Sequence, residues 1–284
     1  MTIKNATQIE FWNGETGQNW VSHDALMEAM LQPLGEAVMD SLSLKPGEHV
    51  LDIGCGCGHT SLSLADRVGA EGSVTGIDIS APMLAVASQL AAEHNTWHNS
   101  VQFLEADAQT HRFTPGSYDA AFSRFGVMFF EDSVAAFANL RRALKAEGRL
   151  AFACWQSVER NGWVHVPRDI VARHIALEGP ADPTAPGPFA FGPEGRAAGL
   201  LRDAGFRDIT VEAHDTEVVM GGGGSVEAAV YAVTDQGPLS RAIHDAPEDV
   251  QQRIREDLTA ALSDHAQDDA VRLGAGVWLV TARA

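Results

Sequence analysis

Hydrophobic positions change period several times along the chain, and each change predicts an element. Between residues 5 and 42, Ala25, Met27, Met30, Leu31, Leu34, Val38 and Leu42 recur at three- and four-residue spacing, which predicts helices broken at Pro33. Lys45-Pro46-Gly47-Glu48 reads as a turn into a short apolar run, Val50-Leu51-Asp52-Ile53, expected as a buried strand. A helix-like segment covers residues 60–68, and Ser73 to Asp78 reads as a second strand. Ser80 is placed to cap the next helix, with Pro82 in its first turn and Met83, Ala87 and Leu90 as its buried stripe. Asp132 or Ser133 opens another helix, with Val134, Phe137, Leu140 and Leu144 on one face. Strands alternating with helices of this length predict an α/β fold with a doubly wound parallel sheet.

Residues 157–193 interrupt the alternation. Trp163 to Leu177 reads as a helix, and the tract 178–188 is too rich in proline and glycine for regular structure. Glu194 to Ala204 is expected as a helix closed by Gly205, Ile209 to Val219 alternates as a long strand, and Gly221 to Gly224 is a turn. Residues 225–264 read as mostly helical and 275–282 as the last strand.

The chemistry concentrates where the first strand ends. Val50-Leu51-Asp52-Ile53-Gly54-Cys55-Gly56-Cys57-Gly58 runs an apolar strand into a glycine turn, and the following helix and strand end on Asp78. Strand, glycine turn, helix, strand and acid make a nucleotide-binding layout, in which backbone approaches the ligand and the acid takes both hydroxyls of a ribose. A dinucleotide fingerprint needs a third glycine where His59 stands, and no Lys-Ser/Thr follows as a phosphate-binding loop requires. The ligand is therefore expected to carry adenosine without a pyrophosphate.

The same stretch resembles motif I of the class I S-adenosylmethionine-dependent methyltransferases. Val101 to Ala108 is similar to their third strand, Tyr118 to Gly126 to their fourth, and Leu144 to Phe152 to their helix, glycine turn and fifth strand. Four motifs in order cover residues 50–155, in the style of ubiquinone/menaquinone-biosynthesis and polyketide methyltransferases; Phe11-Trp12-Asn13-Gly14 and Trp20 resemble the opening of that small-molecule subgroup. The resemblance implies a seven-stranded, mostly parallel, Rossmann-like sheet whose last strand is antiparallel, with a helical cover over the carboxyl edge. It organises 1–284 as a single methyltransferase domain: 1–45 as N-terminal helices, 46–156 as the cofactor-binding core, 157–193 and 220–271 as substrate-cover insertions, and 194–219 and 272–284 completing the sheet.

Composition narrows the substrate. A net charge of −18, with 20 Lys and Arg against 38 Asp and Glu and no basic cluster, argues against a nucleic-acid partner. No apolar run approaches the roughly 20 residues of a membrane span, and the polar start lacks a signal peptide's pattern, so a cytoplasmic enzyme is expected. Cys55, Cys57 and Cys154 make no disulfide framework, and Cys-x-Cys beside His59 is not a usual zinc spacing, so no metal is expected.

For the cofactor, S-adenosyl-L-methionine, the resemblance implies a residue set. Gly54, Gly56 and Gly58 approach the methionine part and ribose. Asp52 holds the amino group, or alternatively only caps the turn, and Asp78 takes the ribose. Ile79 and Met83 pack near adenine, Asp107 and the Ala108 amide face its edge, and Ser123 and Arg124 border the methyl. Trp12 and Trp20 belong to the same set, and Trp12, Trp20, Trp155, Phe189 and Phe191 are candidates for an apolar acceptor pocket. His165 is the candidate catalytic base, ahead of His59, whose turn position suits a local hydrogen bond. The expected reaction is methyl transfer to oxygen or carbon of a small, apolar or aromatic acceptor. The alternatives are a protein that binds the cofactor for a lyase or hydrolytic step or for sensing, and a nicotinamide dehydrogenase, which His59 disfavours.

Overall fold

The computed structural model describes residues 5–93, 100–177, 182 and 184–284. Part of the proline-glycine tract, 178–181 and 183, lies outside the described residues. Among the described residues there are eight strands: β1 (His49–Ile53), β2 (Ser73–Asp78), β3 (Val101–Glu105), β4 (Tyr118–Arg124), β5 (Leu144–Trp155), β6 (Arg207–Val219), β7 (Ala266–Gln267) and β8 (Ala270–Arg283). Seven of them form the main path in the order β3-β2-β1-β4-β5-β8-β6, and β7 pairs only with β8. The first five are parallel, and β8 runs antiparallel to both β5 and β6. The sheet is thus the mostly parallel, doubly wound one that the sequence predicts. Its winding reverses between β1 and β4, where open α/β sheets place their ligands.

Helices α1 (Ala6–Asn13), α2 (Glu15–Ser22) and α3 (Asp24–Leu42) precede β1. Pro33 does not break α3; the helix runs through it. Leu31, Leu34, Val38, Met39 and Leu42 are all buried along this helix. At about 1.5–3 kcal/mol per buried side chain, that face outweighs the roughly 3 kcal/mol cost of one interior proline. α4 (His59–Val68), α5 (Ala81–Glu93) and α6 (Ser133–Ala143) link the parallel strands, and Asp132 caps α6 by accepting from the Ala135 N–H at 3.0 Å.

The second half departs further from the pattern. α7 (Gly162–Val171) stops short of Leu177, and the chain continues through tighter turns in which Arg173 and His174 bond carbonyls three residues back. The helical stretch after residue 225 is cut into α9 (Val226–Tyr231), a π-helical turn (Ala232–Gln236), α10 (Ser240–His244) and α11 (Glu248–Ser263). Gly237-Pro238 and Pro247 supply the breaks. α8 (Arg196–Asp203) lies earlier, between α7 and β6. β8 starts at Ala270 rather than 275 because its first residues pair with the end of β6 and, through a hairpin, with β7. Asp268 and Asp269 both have positive φ, 48° and 63°, as that two-residue turn requires.

Two apolar cores result. One lies on the sheet, and the other joins α7, α9, α10 and α11 to the start of β8 through Ile170, Val230, Ile243, Ile254, Leu258 and Val271.

Candidate active site

A cavity of about 400 Å³ opens at the carboxyl ends of β1, β2, β4 and β5, a volume suited to a small molecule. Its floor is the turn from Ile53 to Cys57 together with Asp78 and Ile79. α1 to α3 contribute Phe11, Trp12, Trp20 and Met27, and the far wall holds Phe125, Trp155 and Trp163. The two interruptions of the α/β alternation each reach it, through Trp163 and Pro188 from one and Pro238 from the other.

Asp78, at the tip of β2, organises the floor. Its Oδ2 accepts the Gly56 N–H at 2.9 Å and its Oδ1 accepts the Ser80 N–H at 2.9 Å. Burial raises its carboxyl above the ordinary value, opposed by these backbone bonds. Each oxygen retains acceptor capacity. The turn holds its shape with positive φ at Gly54 (67°) and Gly56 (53°), and a Cβ on Gly54 would stand 2.9 Å from the Gly126 Cα.

Three members of the expected set sit behind the cavity rather than on it. Gly58 packs against α5, and a Cβ there would meet Ala87 Cβ at 2.8 Å and Phe103 Cζ at 2.9 Å. Its glycine serves helix–strand packing. Ser123 is fully buried; its Oγ donates to the Ile53 carbonyl at 2.7 Å and accepts the Gly126 N–H at 3.2 Å, tying β4 to β1. Asp52 is also fully buried, and its Oδ2 accepts the hydroxyls of Thr60 at 2.7 Å and Ser61 at 2.6 Å, anchoring the start of α4. Its Oδ1 is buried with no partner. Burial lifts this carboxyl to about 6, against the hydroxyl bonds and the nearby Arg124.

At the opposite end, Asp107 and Ala108 line the cavity after β3, and Ile79 and Met83 lie beside Asp78. Asp107 already holds three donors: Asn5 Nδ2 (2.9 Å) and Gln109 N (2.9 Å) on Oδ1, and Thr110 Oγ1 (3.0 Å) on Oδ2. The N-terminal helices are fastened to the same end. Asn13 donates to the Ile79 carbonyl at 2.7 Å and accepts from the Ala81 N–H at 2.9 Å, and Ser80 donates to the Trp12 carbonyl at 2.8 Å.

The aromatic wall is a chain of contacts. Phe125, held at φ 58°, stacks on Trp155 with centroids 4.1 Å apart, and Trp155 meets Trp163 at 5.0 Å. Trp163 is aimed by its Nε1, which donates to the buried Asn161 Oδ1 at 3.1 Å. Trp12 packs edge-on against Trp20 and Phe129. Phe189 and Phe191 do not line the cavity; Phe191 is buried in the sheet core against Phe137 and Phe152.

Charged side chains on α3 complete the site. Glu28 pairs with Arg124 at the tip of β4, and Asp24 Oδ2 lies 2.7 Å from His59 Nε2. All four line the cavity. His165 does not; it is half-exposed on α7 and lies 3.8 Å from Asp169 on the same helix. Asp24, Glu28, Phe125 and Trp163 were not legible as site residues, although the four-residue spacing of Asp24 and Glu28 puts both on one helix face. The three cysteines are buried, and burial raises each thiol well above its ordinary value. Among the described residues no group of His, Cys, Asp and Glu is arranged to hold a metal.

Residues 50–148 of the chain, the stretch that carries the glycine turn and the ribose-type acid at the switch-point cavity, match the family model described as a methyltransferase domain. Over 135 residues it is 34% identical to aklanonic acid methyltransferase DauC of Streptomyces sp. strain C5, covering 48% of this chain and 60% of that protein. Over 204 residues it is 29% identical to nocamycin O-methyltransferase of Saccharothrix syringae, covering 69% of this chain and 72% of that one. The chain thus spans three-fifths of the length of the first relative and under half that of several others. In fold it is similar to phosphoethanolamine N-methyltransferase 2 of Haemonchus contortus, solved with S-adenosyl-L-methionine. The TM-score is 0.57 at 18% identity, over 99% of this chain and 60% of that one.

The residues fit that cofactor. Asp78 keeps acceptor capacity for two hydroxyls beside a turn where backbone is exposed to the cavity, and the orphaned Asp52 Oδ1 suits an ammonium group or a bridging water.

Proposed function

We propose that the chain transfers the methyl group of S-adenosylmethionine to an oxygen or carbon of a small, apolar or aromatic acceptor. The observation that carries this reading is one cavity bounded by the glycine turn and Asp78 on one side and by Phe125, Trp155 and Trp163 on the other. The cofactor supplies a methyl group already activated on a sulfonium, so the protein's work is to hold, orient and desolvate.

Gly54 and Gly56 let backbone approach the ligand, Asp78 accepts from the ribose hydroxyls, and Ile79 and Met83 flank the adenine. Asp107 offers its less occupied Oδ2 to the exocyclic amine beside the Ala108 amide. Asp52 acts on the amino group from behind the turn. Trp12 and Trp20 close the cavity from the N-terminal helices, while Gly58 and Ser123 keep the frame in register. Arg124 borders the methyl. The segments 157–193 and 220–271 cover the acceptor within a single domain. The O-methyltransferase among the relatives supports oxygen as the acceptor atom.

The charge balance of −18 disfavours nucleic acid as acceptor, and among the described residues no helix is long and apolar enough to cross a membrane; a cytoplasmic enzyme follows as part of this reading. The test is release of S-adenosylhomocysteine with hydroxynaphthoquinone and hydroxyanthraquinone acceptors, with calorimetry against S-adenosylhomocysteine and NAD. Acceptor-dependent release and selective binding of S-adenosylhomocysteine are expected. NAD binding without S-adenosylhomocysteine binding would refute the reading.

A further inference from the structure

Asp24 at the start of α3 and His59 at the start of α4 form a pair at the edge of the cavity. Their side chains are 20% and 26% exposed, both line the cavity, and Asp24 Oδ2 lies 2.7 Å from His59 Nε2. A carboxylate can only accept, so Nε2 carries the proton and donates, which leaves the lone pair on Nδ1. The Cys57 thiol also hydrogen-bonds Asp24, so the carboxylate is held from two sides. Position along α3 tells where the pair lies. Asp24 and Glu28 are one turn apart, about 6 Å along the axis, and Glu28 grips Arg124 at the tip of β4. The imidazole and the Arg124 guanidinium are thus held from neighbouring turns of α3 on the lining of one cavity. His165, by contrast, has its carboxylate neighbour outside the cavity.

Resting on the methyltransferase reading above, we propose that His59 is the general base for a hydroxyl acceptor and that Asp24 is its positioning residue. As the acceptor oxygen bonds the methyl carbon, the electron pair of the broken carbon–sulfur bond stays on sulfur, and the hydroxyl proton passes to His59 Nδ1. The imidazolium so formed faces the Asp24 carboxylate and later returns its proton to water.

The experiment uses the full chain with 5-hydroxy-1,4-naphthoquinone and 1,8-dihydroxyanthraquinone as acceptors, both of which carry a phenolic hydroxyl that is protonated at neutral pH. His59→Gln, which keeps an amide to face Asp24, is expected to lose roughly 10²–10⁴-fold in kcat with little change in acceptor KM or in the dissociation constant for S-adenosylhomocysteine. Nitrogen-15 NMR of the imidazole in the S-adenosylhomocysteine complex is expected to show the Nε2–H tautomer, and Asp24→Asn is expected to populate the Nδ1–H form while lowering kcat. Normal kcat in His59→Gln, with wild-type release intact, overturns the base and leaves the methyltransferase reading standing. Weaker cofactor binding at unchanged kcat overturns it too, making His59 a cofactor contact. No release from the wild type with either acceptor overturns the acceptor class and this inference with it.

Discussion

Arg124 at the end of β4 and Glu28 on α3 meet through both guanidinium nitrogens and both carboxylate oxygens, Nη1 to Oε1 at 3.1 Å and Nη2 to Oε2 at 2.5 Å. The two side chains are 13% and 20% exposed, so the pair fastens the N-terminal helices to the sheet at the cavity wall. Glu28→Ala leaves a largely buried guanidinium unpaired. We expect a loss of about 2–3 kcal/mol in unfolding free energy, below the fully buried range because water reaches one edge. Chemical denaturation checks this, and a loss under half a kilocalorie would show the pair to be dispensable.

Asp78→Ala removes the acceptor for the Gly56 and Ser80 N–H groups as well as the proposed ribose contact. Cofactor affinity is expected to fall by about 2–3 kcal/mol, two charge-assisted bonds' worth, with the circular dichroism spectrum unchanged. Calorimetry with S-adenosylhomocysteine is the measurement, and an unaltered dissociation constant would remove Asp78 from the site.

Asp52 gives a pH signature. Its folded carboxyl titrates at about 6, above the ordinary 3.8, because it is buried. The folded chain therefore holds a proton that the unfolded chain has released, and this group's contribution to stability declines as pH rises through that window, then stays level. Asp78, raised by burial as well, acts in the same direction. An ammonium group bound on the cavity side of the turn favours the carboxylate form of Asp52 behind it, so S-adenosylhomocysteine should bind more tightly as pH goes from about 5 to about 7. Asp52→Asn keeps an acceptor for the Thr60 and Ser61 hydroxyls. It should raise the ligand-free Tm at neutral pH and flatten the pH dependence of binding. A variant whose affinity tracks pH as the wild type's does would place the effect elsewhere.

His165→Ala should leave turnover within about twofold of wild type, since the imidazole lies outside the cavity and pairs only loosely with Asp169. Steady-state kinetics decides it, and a loss of a hundredfold or more would mean that α7 moves its histidine inward during the reaction.

The sequence by itself determined the sheet, its parallel half and the cofactor floor. Those features are written in local pattern: apolar runs of strand length alternating with helical periods along residues 50–155 and, within residues 50–78, glycines where φ must be positive and an acid ending the second strand. Even there, side-chain direction was hidden. Gly58, Ser123 and Asp52 carry motif spacing, yet packing against Ala87, the Ile53 carbonyl and the Thr60 and Ser61 hydroxyls turns them behind the cavity. Tertiary structure alone decided the rest of the site. Asp24 and His59 are 35 residues apart, and Glu28 and Arg124 are 96 apart, so their pairing depends on how α3 crosses the strand ends. Pro33 inside α3 makes the same point: a local breaker yields when the face it interrupts is buried, because burial is summed over the whole contact and propensity over single residues.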